Sequence, residues 1–416
     1  MSEPADLTMV RLTADRRSDV LDLDTWAFPS SHDAAALAEL PDPLTWDRTY
    51  GMVDAGRADR LVAMHASYPF SRCPVPGGRL PAAGLTWVAV HPEWRRRGVL
   101  RTMMAGHFEH RRAASEPISI LFAAEPAIYG RFGYGLASKQ LSLTMPRRAA
   151  LREVSGAEGV TVRVETLDVN THIAVVEELH GAVERPGWVT RETPQLRATS
   201  YADPAAFREG FEPARILIAE RDGNAVGYAL FRRRGGWESS GPTGVVRVRE
   251  VVAADPAVSR MLWERLLDLD LTTEVTVAHL PVDDPLLNLL VDVRIAQPRW
   301  QDNLWLRIID LPAALAGRRY QADLDVVLEV SDALLPDNAG RWRVRARAFG
   351  DARVTRTSDE ADLALDVREV GACYLGGTSL AELGAAGLVT ALTPDALART
   401  SAAFGWPVAP VAGWIF

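Results

Sequence analysis

Cysteine is nearly absent from this chain. Only Cys73 and Cys373 occur among 416 residues, far apart, and neither belongs to a short Cys/His cluster. That excludes a disulfide scaffold and a structural zinc site. Also missing is any apolar run near the ~20 residues that span a bilayer, so no membrane segment is expected. The first thirty residues carry Arg11, Asp15, Arg16 and Arg17 without an apolar stretch ahead of a cleavage site. They do not read as a secretory signal, and the cytoplasm is the expected compartment. An excess of positive charge is lacking as well: the formal net charge is -8. General nucleic-acid binders carry the opposite balance, because they displace counterions from phosphates; an acidic chain tolerates a cationic substrate instead. The composition, 48% hydrophobic and 24% charged, is that of a globular protein. Its length exceeds what one hydrophobic core organises, so two or three domains are expected.

The segment from Leu80 to His110 has the clearest layout. Leu85 to Val90 is a β-rich apolar run, interrupted by His91, Pro92 and Glu93. A basic, glycine-containing turn follows, and from Val99 the apolar residues recur at helical spacing, with Leu100, Met103, Met104, His107 and Phe108 as the expected buried stripe. The order is strand, turn, helix. A second buried strand is expected over Ile118 to Ala124, leading into a glycine-punctuated segment from Ile128 to Gly135. The plan recurs from about Val160. There, Arg215 to Ala219 and Val226 to Leu230 flank Asp222, Gly223 and Asn224 as a hairpin. A strand over Val245 to Val252 then precedes a helix over Ala257 to Leu269. The joint between them, Ala253 to Pro256, has neither glycine nor arginine. This copy reads as a structural duplicate without the first copy's chemistry. Beyond Arg299, strand-like Leu304 to Ile309, Val326 to Val330 and Arg341 to Ala348 precede small-residue helices, which suggests a third, α+β domain.

The turn Arg95, Arg96, Arg97, Gly98, Val99, Leu100, Arg101 places three arginines just before a helix start, where the dipole disfavours cations. An anion compensates that arrangement. Free N–H groups at the helix start, a glycine that admits close approach, and forked guanidinium donors together suit a pyrophosphate. A solvated basic helix start is the plainer alternative, and the preceding strand and the glycine favour the anion site.

This segment resembles the acetyl-CoA turn of the GNAT superfamily of N-acetyltransferases. Arg95 and Gly98 fit the pattern, whereas Leu100 stands where glycine or alanine is usual. Across the whole chain the sequence is similar to the enhanced intracellular survival acetyltransferases of actinobacteria, known for acetylating aminoglycosides. Val88 to Val90 with Arg95 to Arg101, Ile128 to Gly135, and Trp300, Gln301, Asp302 with Leu304 to Arg307 carry that resemblance. It implies two tandem GNAT folds, α/β, the second degenerate, followed by a sterol-carrier-protein-like α+β domain. The corresponding spans are 1–147, 148–298 and 299–416.

The resemblance also implies roles. Acetyl-CoA is the co-substrate, with no metal. Val88, Ala89 and Val90 pair with pantetheine amides, Arg95 to Arg101 hold the pyrophosphate, and Ala124 and Glu125 touch the cofactor. Tyr129 matches the general acid that protonates the departing thiolate; from spacing alone Tyr134 is an equal candidate. The general base is the α-carboxylate of Phe416, in a tail (Val411, Trp414, Ile415, Phe416) too apolar to be left loose in water. Aminoglycoside-acetylating members carry an acidic residue before that phenylalanine, where this chain has Ile415, which implies a less acidic amine pocket. Trp26 and Phe28, near Asp22 and Asp24, read chiefly as core and surface and secondarily as an aromatic, acidic wall for an amine. Relatives form hexamers, so a homo-oligomer is expected, with a cationic amine as partner and no nucleic acid or membrane. A non-catalytic acyl-CoA or lipid-binding protein is the alternative from another class.

Overall fold

The computed structural model describes residues 7–29, 32 and 34–416. The first module supplies strands β1 (Leu7–Arg11), β2 (Thr49–Asp54), β3 (Arg60–Val75), β4 (Gly78–Val90), β5 (Ile118–Leu121) and β6 (Gly135–Leu136). Helix α1 (Arg17–Ala27) follows β1, α2 (Val99–Ala113) joins β4 to β5, and the short α3 (Pro126–Tyr129) precedes β6. Strands β1 to β4 pair antiparallel in order. β4 and β5 are parallel, as a strand–helix–strand crossover requires. Helix α2 buries Val99, Met103, Met104, His107, Phe108 and Arg111. Leu100, expected in that stripe, is only half-buried and faces a cavity instead.

The second module contributes β7 (Lys139–Pro146), β8 (Thr161–Thr166), β9 (Arg215–Arg221), β10 (Asn224–Arg234), β11 (Gly244–Ala253), β12 (Thr272–Pro281) and β13 (Arg299–Asp302), with helices α4 (Val169–Gly181) and α5 (Pro256–Leu267). The β9–β10 hairpin and the β11–α5 joint stand where the sequence placed them. At that joint Asp255 caps α5 by accepting from Val258 N–H at 3.0 Å, and Arg221 holds the same carboxylate at 2.6 Å. The second copy fills its helix start with an internal carboxylate.

The two modules exchange strands. The chain leaves β6 and enters the second sheet as β7, lying between β12 and β13. It later returns to the first sheet as β14 (Trp305–Ile308), inserted between β5 and β6. The sheets therefore share chain across the divisions expected at 147 and 298. The strand order of the first sheet is β1-β2-β3-β4-β5-β14-β6 and of the second β13-β7-β12-β11-β10-β9-β8.

The third unit is a sheet ordered β17-β16-β15-β18-β19, where β15 is Leu324–Ser331, β16 Gly340–Ala346, β17 Ala352–Arg356, β18 Leu363–Asp366 and β19 Val389–Ala391. One apolar cluster joins it to the first module and the tail. Phe70 and Ile120 pack in the same core as Leu328, Tyr374 and Trp414. The buried Arg307 of β14 donates from Nη2 to both carboxylate oxygens of Asp332, at 2.7 and 2.8 Å, so an otherwise costly buried charge is paired across that seam. Among the described residues no helix is long and apolar enough to cross a membrane.

Candidate active site

Strand β4 positions the site. Its ladder with β5 holds only from Ala82 to Gly84, although β4 continues to Val90. Beyond Gly84 the strands part, so among the described residues the β5-facing edge of β4 has no strand partner there. A bulge sharpens the parting: the register with β3 slips between Ala66 and Met64, and Trp87 takes φ 52°. Such a bulge bends a strand and re-aims its backbone groups. An extended amide-bearing ligand can complete that edge as an added strand would.

After β4, Pro92 to Trp94 make a single 3-10 turn and the chain enters the arginine loop. Arg96 and Gly98 both take left-handed backbone, φ 63° and 82°. A Cβ on Gly98 would meet nothing within 4 Å, so the glycine serves the backbone angle. The first helical bond is Thr102 N–H to Gly98 O at 3.1 Å, which leaves the N–H groups of Val99, Leu100 and Arg101 without a helical acceptor. Among the described residues no side chain caps this start, and no acidic residue lies in its first turn. The contrast with Asp255 in the second module is direct.

A cavity of ≈ 630 Å³ opens over this helix start. Of the residues singled out from sequence, Val88, Val90, Arg95, Arg96, Gly98, Val99, Leu100, Arg101, Ala124, Glu125 and Tyr129 line it. Ala89 does not: its side chain is buried in the core beneath α1, which suits a residue whose part would be played by its backbone. Nor does Arg97, whose guanidinium lies over the Trp94 ring at 5.1 Å.

A second cavity, ≈ 510 Å³, adjoins the first and shares Phe28, Val88, Ala124 and Tyr129 with it. Phe416 and Ile415 line this second space, with Trp87, Phe122, Gln140, Gln301, Asp302 and Asn303. Tyr129 therefore stands at the junction of the two. Burial pushes its phenol up to about 12, with Glu125 adding in the same direction. Tyr134 is a different case. It is fully buried, and its hydroxyl shares a hydrogen bond with Ser119 Oγ at 2.9 Å, which in turn meets His107 Nε2 at 2.9 Å.

The Phe416 ring packs edge-on against Phe70 at 4.9 Å and Phe122 at 5.1 Å. A Cβ on Gly84 would come within 3.0 Å of it, so the ring sits where β4 and β5 part. Of the residues weighed as an aromatic, acidic wall, Phe28 lines both cavities. Trp26 and Asp22 line another, with Trp26 against the His91 ring at 5.1 Å. Gln140 and Asn303 escape sequence reading because strand exchange alone brings them together. Gln301 and Asp302 stand in a segment that carried the resemblance, yet nothing in their spacing assigns them to a pocket. Among the described residues no three His, Cys, Asp or Glu side chains group to hold a metal ion.

Comparison with known proteins identifies the family and the domain types. An acetyltransferase (GNAT) domain profile matches residues 9–137, a second GNAT profile residues 181–308, and a sterol carrier protein domain profile residues 311–413. An uncharacterized N-acetyltransferase of Streptomyces avermitilis is 42% identical over 391 residues, covering 92% of this chain and 93% of that one. The N-acetyltransferase Eis of Mycobacterium tuberculosis is 36% identical over 366 residues, 84% of each chain. Among solved structures, Eis1 from Mycobacterium abscessus superposes with a TM-score of 0.82 at 29% identity, covering 99% of this chain and 100% of that one.

Proposed function

The chain belongs to the Eis-like family of GNAT N-acetyltransferases and is an acyl-CoA-dependent enzyme, and from that premise we propose that it moves acetyl from acetyl-CoA directly to a primary amine of a small cationic molecule or lysine side chain. The observation that carries this reading is the meeting of two cavities at Tyr129, one over an uncapped helix start and one closed by Phe416.

The pyrophosphate takes the free N–H groups of Val99 to Arg101, with Arg95, Arg96 and Arg101 supplying forked donors. Pantetheine amides extend along β4 at Val88 to Val90 past the end of its ladder. The amine enters from the second cavity as an ammonium and passes a proton to the Phe416 α-carboxylate. Its lone pair then attacks the thioester carbonyl to give a tetrahedral oxyanion, which β4 main-chain N–H groups stabilise. Collapse breaks the C–S bond as Tyr129 delivers its proton to the leaving sulfur, and the second proton on the amide nitrogen passes to the Tyr129 phenolate, which restores the acid. A phenol held near 12 is protonated throughout the neutral range and, once ionised, more basic than a thiolate, so the proton transfer is itself uphill and is drawn forward by the C–S cleavage it accompanies. Holding amine and thioester side by side supplies much of the rate, because it removes the entropy of a bimolecular encounter.

The acceptor cavity joins aromatic walls to neutral amides, with Asp302 as its side-chain carboxylate and the exposed Ile415 at its edge. One charge partner beside the terminus favours a compact mono- or diamine over an aminoglycoside bearing many ammonium groups. The reading includes a cytoplasmic setting and a homo-oligomer, hexameric by its resemblance, which light scattering measures.

The test is thiol release from acetyl-CoA over a panel of polyamines and aminoglycosides, for the unaltered chain, Tyr129→Phe and a chain extended beyond Phe416. Turnover that needs an amine and collapses in both variants supports the assignment. Full activity in both would remove the proposed acid and base, and binding of CoA without thiol release would point to the carrier alternative.

A further inference from the structure

Asn303 lies between β13 and β14, where the chain crosses back from the second sheet to the first, and it is 1% exposed. Its amide is completely used. Oδ1 accepts from Ser138 Oγ at 2.9 Å and from Ala412 N–H at 2.8 Å. Nδ2 donates to Gln140 Oε1 at 2.7 Å and to Ala412 O at 3.2 Å. An asparagine offers two acceptor sites and two donors, and all four are engaged. Two of them grip a single tail residue through both of its backbone groups, a few residues short of Phe416.

Ser138 stands at the opposite crossover, between β6 and β7, and its Oγ accepts from Leu304 N–H at 3.0 Å. The two points of strand exchange are thus bonded to each other and to the tail. Gln140 continues the chain of contacts, accepting also from His279 Nδ1 at 2.8 Å and donating to Gln301 Oε1 at 3.4 Å. Gln140, Gln301 and Asn303 all line the acceptor cavity. Past the grip, the Trp414 indole donates to Val189 O at 2.7 Å and faces the buried Arg191 guanidinium at 5.1 Å.

Adhesion alone does not call for this arrangement, since apolar contacts would hold an apolar tail. A buried amide adds register. Sliding the tail by one residue breaks both Ala412 bonds and strands a buried donor and a buried acceptor, whose lost hydrogen bonds oppose the slip. The same slip withdraws the Phe416 ring from Phe70 and Phe122. We infer that Asn303 is a positioning residue for the terminal carboxylate, setting the register of the tail against the acceptor-side wall at the site where the two modules trade strands. The inference rests on the reading of Phe416 as general base.

A double-mutant cycle on the full-length protein tests it, combining Asn303→Ala with one added alanine after Phe416. Asn303→Ala alone lowers kcat by about 10-fold or more, the scale of a misplaced reacting group. KM for acetyl-CoA stays within about 2-fold, because the CoA cavity is untouched. Carboxypeptidase A releases Phe416 faster from this variant than from the unaltered chain. In the extended chain, where the carboxylate is already displaced, Asn303→Ala costs nothing further. An equal kcat loss in both backgrounds overturns the role of Asn303 and leaves the base reading standing. Full activity of the extended chain overturns the base reading itself, and this inference with it. If Asn303→Ala does not yield folded protein, judged by its melting transition, Asn303→Ser takes its place in the cycle, with the same results expected and the same results overturning the role.

Discussion

At the scale of single residues, Tyr129 and Tyr134 are indistinguishable by spacing and separate by environment. Tyr129 faces both cavities, whereas the Tyr134 hydroxyl is spent on Ser119. Tyr129→Phe is expected to lower kcat by ~10²-fold or more with little change in KM for acetyl-CoA. Tyr134→Phe should leave kcat within about 3-fold while costing ~1 kcal/mol of stability, because it removes one of the two hydrogen-bond partners of the buried Ser119 hydroxyl. Steady-state kinetics and thermal melts of the pair check both. Asp284 offers a prediction in pH. Burial raises its carboxyl to about 6, outweighing the backbone hydrogen bond from Leu286 that pulls it down. The folded state therefore holds that proton more tightly than the unfolded chain. Stability from this group is complete below about pH 4 and falls as pH rises through about 6. Asparagine keeps the acceptor oxygen and removes the titration. The stability of Asp284→Asn relative to the unaltered protein should climb between pH 4 and pH 7, by on the order of 3 kcal/mol, as read from thermal melts across that range.

At the scale of elements, the arginine loop was readable in the sequence because everything it needs is local. A strand, a left-handed glycine and an uncapped helix lie within a dozen residues. Gly98→Ala asks an L-residue to hold φ 82°, which costs about 1 kcal/mol without any clash, since a Cβ there meets open space. The expected result is a KM for acetyl-CoA raised about 3- to 10-fold, with kcat at saturation nearly unchanged. The equivalent start of α5 differs for a reason the sequence also shows: Asp255 stands where the first copy has a glycine and arginines. Its carboxylate occupies the position an external phosphate would take, tied down by Arg221. Asp255→Ala should destabilise the protein by ~1 kcal/mol as a lost cap and leave turnover unchanged. What no local pattern reveals is where β4 and β5 part. That depends on the Trp87 bulge and on the Phe416 ring seated beside Gly84, a contact between chain segments more than three hundred residues apart.

At the scale of the molecule, element types and the threefold division were visible in periodicity and composition, but the trade of β7 for β14 was not. β7 alternates polar and apolar residues as any half-buried strand does, and β14 is only four residues long with a charge among them, so neither pattern selects a sheet. Their partners are chosen by long-range packing, including the Arg307–Asp332 pair that draws β14 toward the third unit. The acceptor-side wall was hidden for the same reason. A further property of the whole chain bears on its chemistry: of its 46 lysines and arginines, only Lys139 is a lysine. An N-acetyltransferase with acetyl-CoA as its proposed donor thus offers a single side-chain amine of its own. Prolonged incubation with acetyl-CoA should add no more than one side-chain acetyl group, at Lys139, as read by peptide mass mapping. The exchange of strands has an outcome in time as well as in space. A ribosome completes β5 and β6 long before it reaches Trp305, so the nascent first sheet must wait, with two unsealed edges, for the whole of the second module to be translated. Polypeptides released early by a stalled ribosome would carry those edges into the cell, and the demand this places on chaperones is written into the order in which the strands are made.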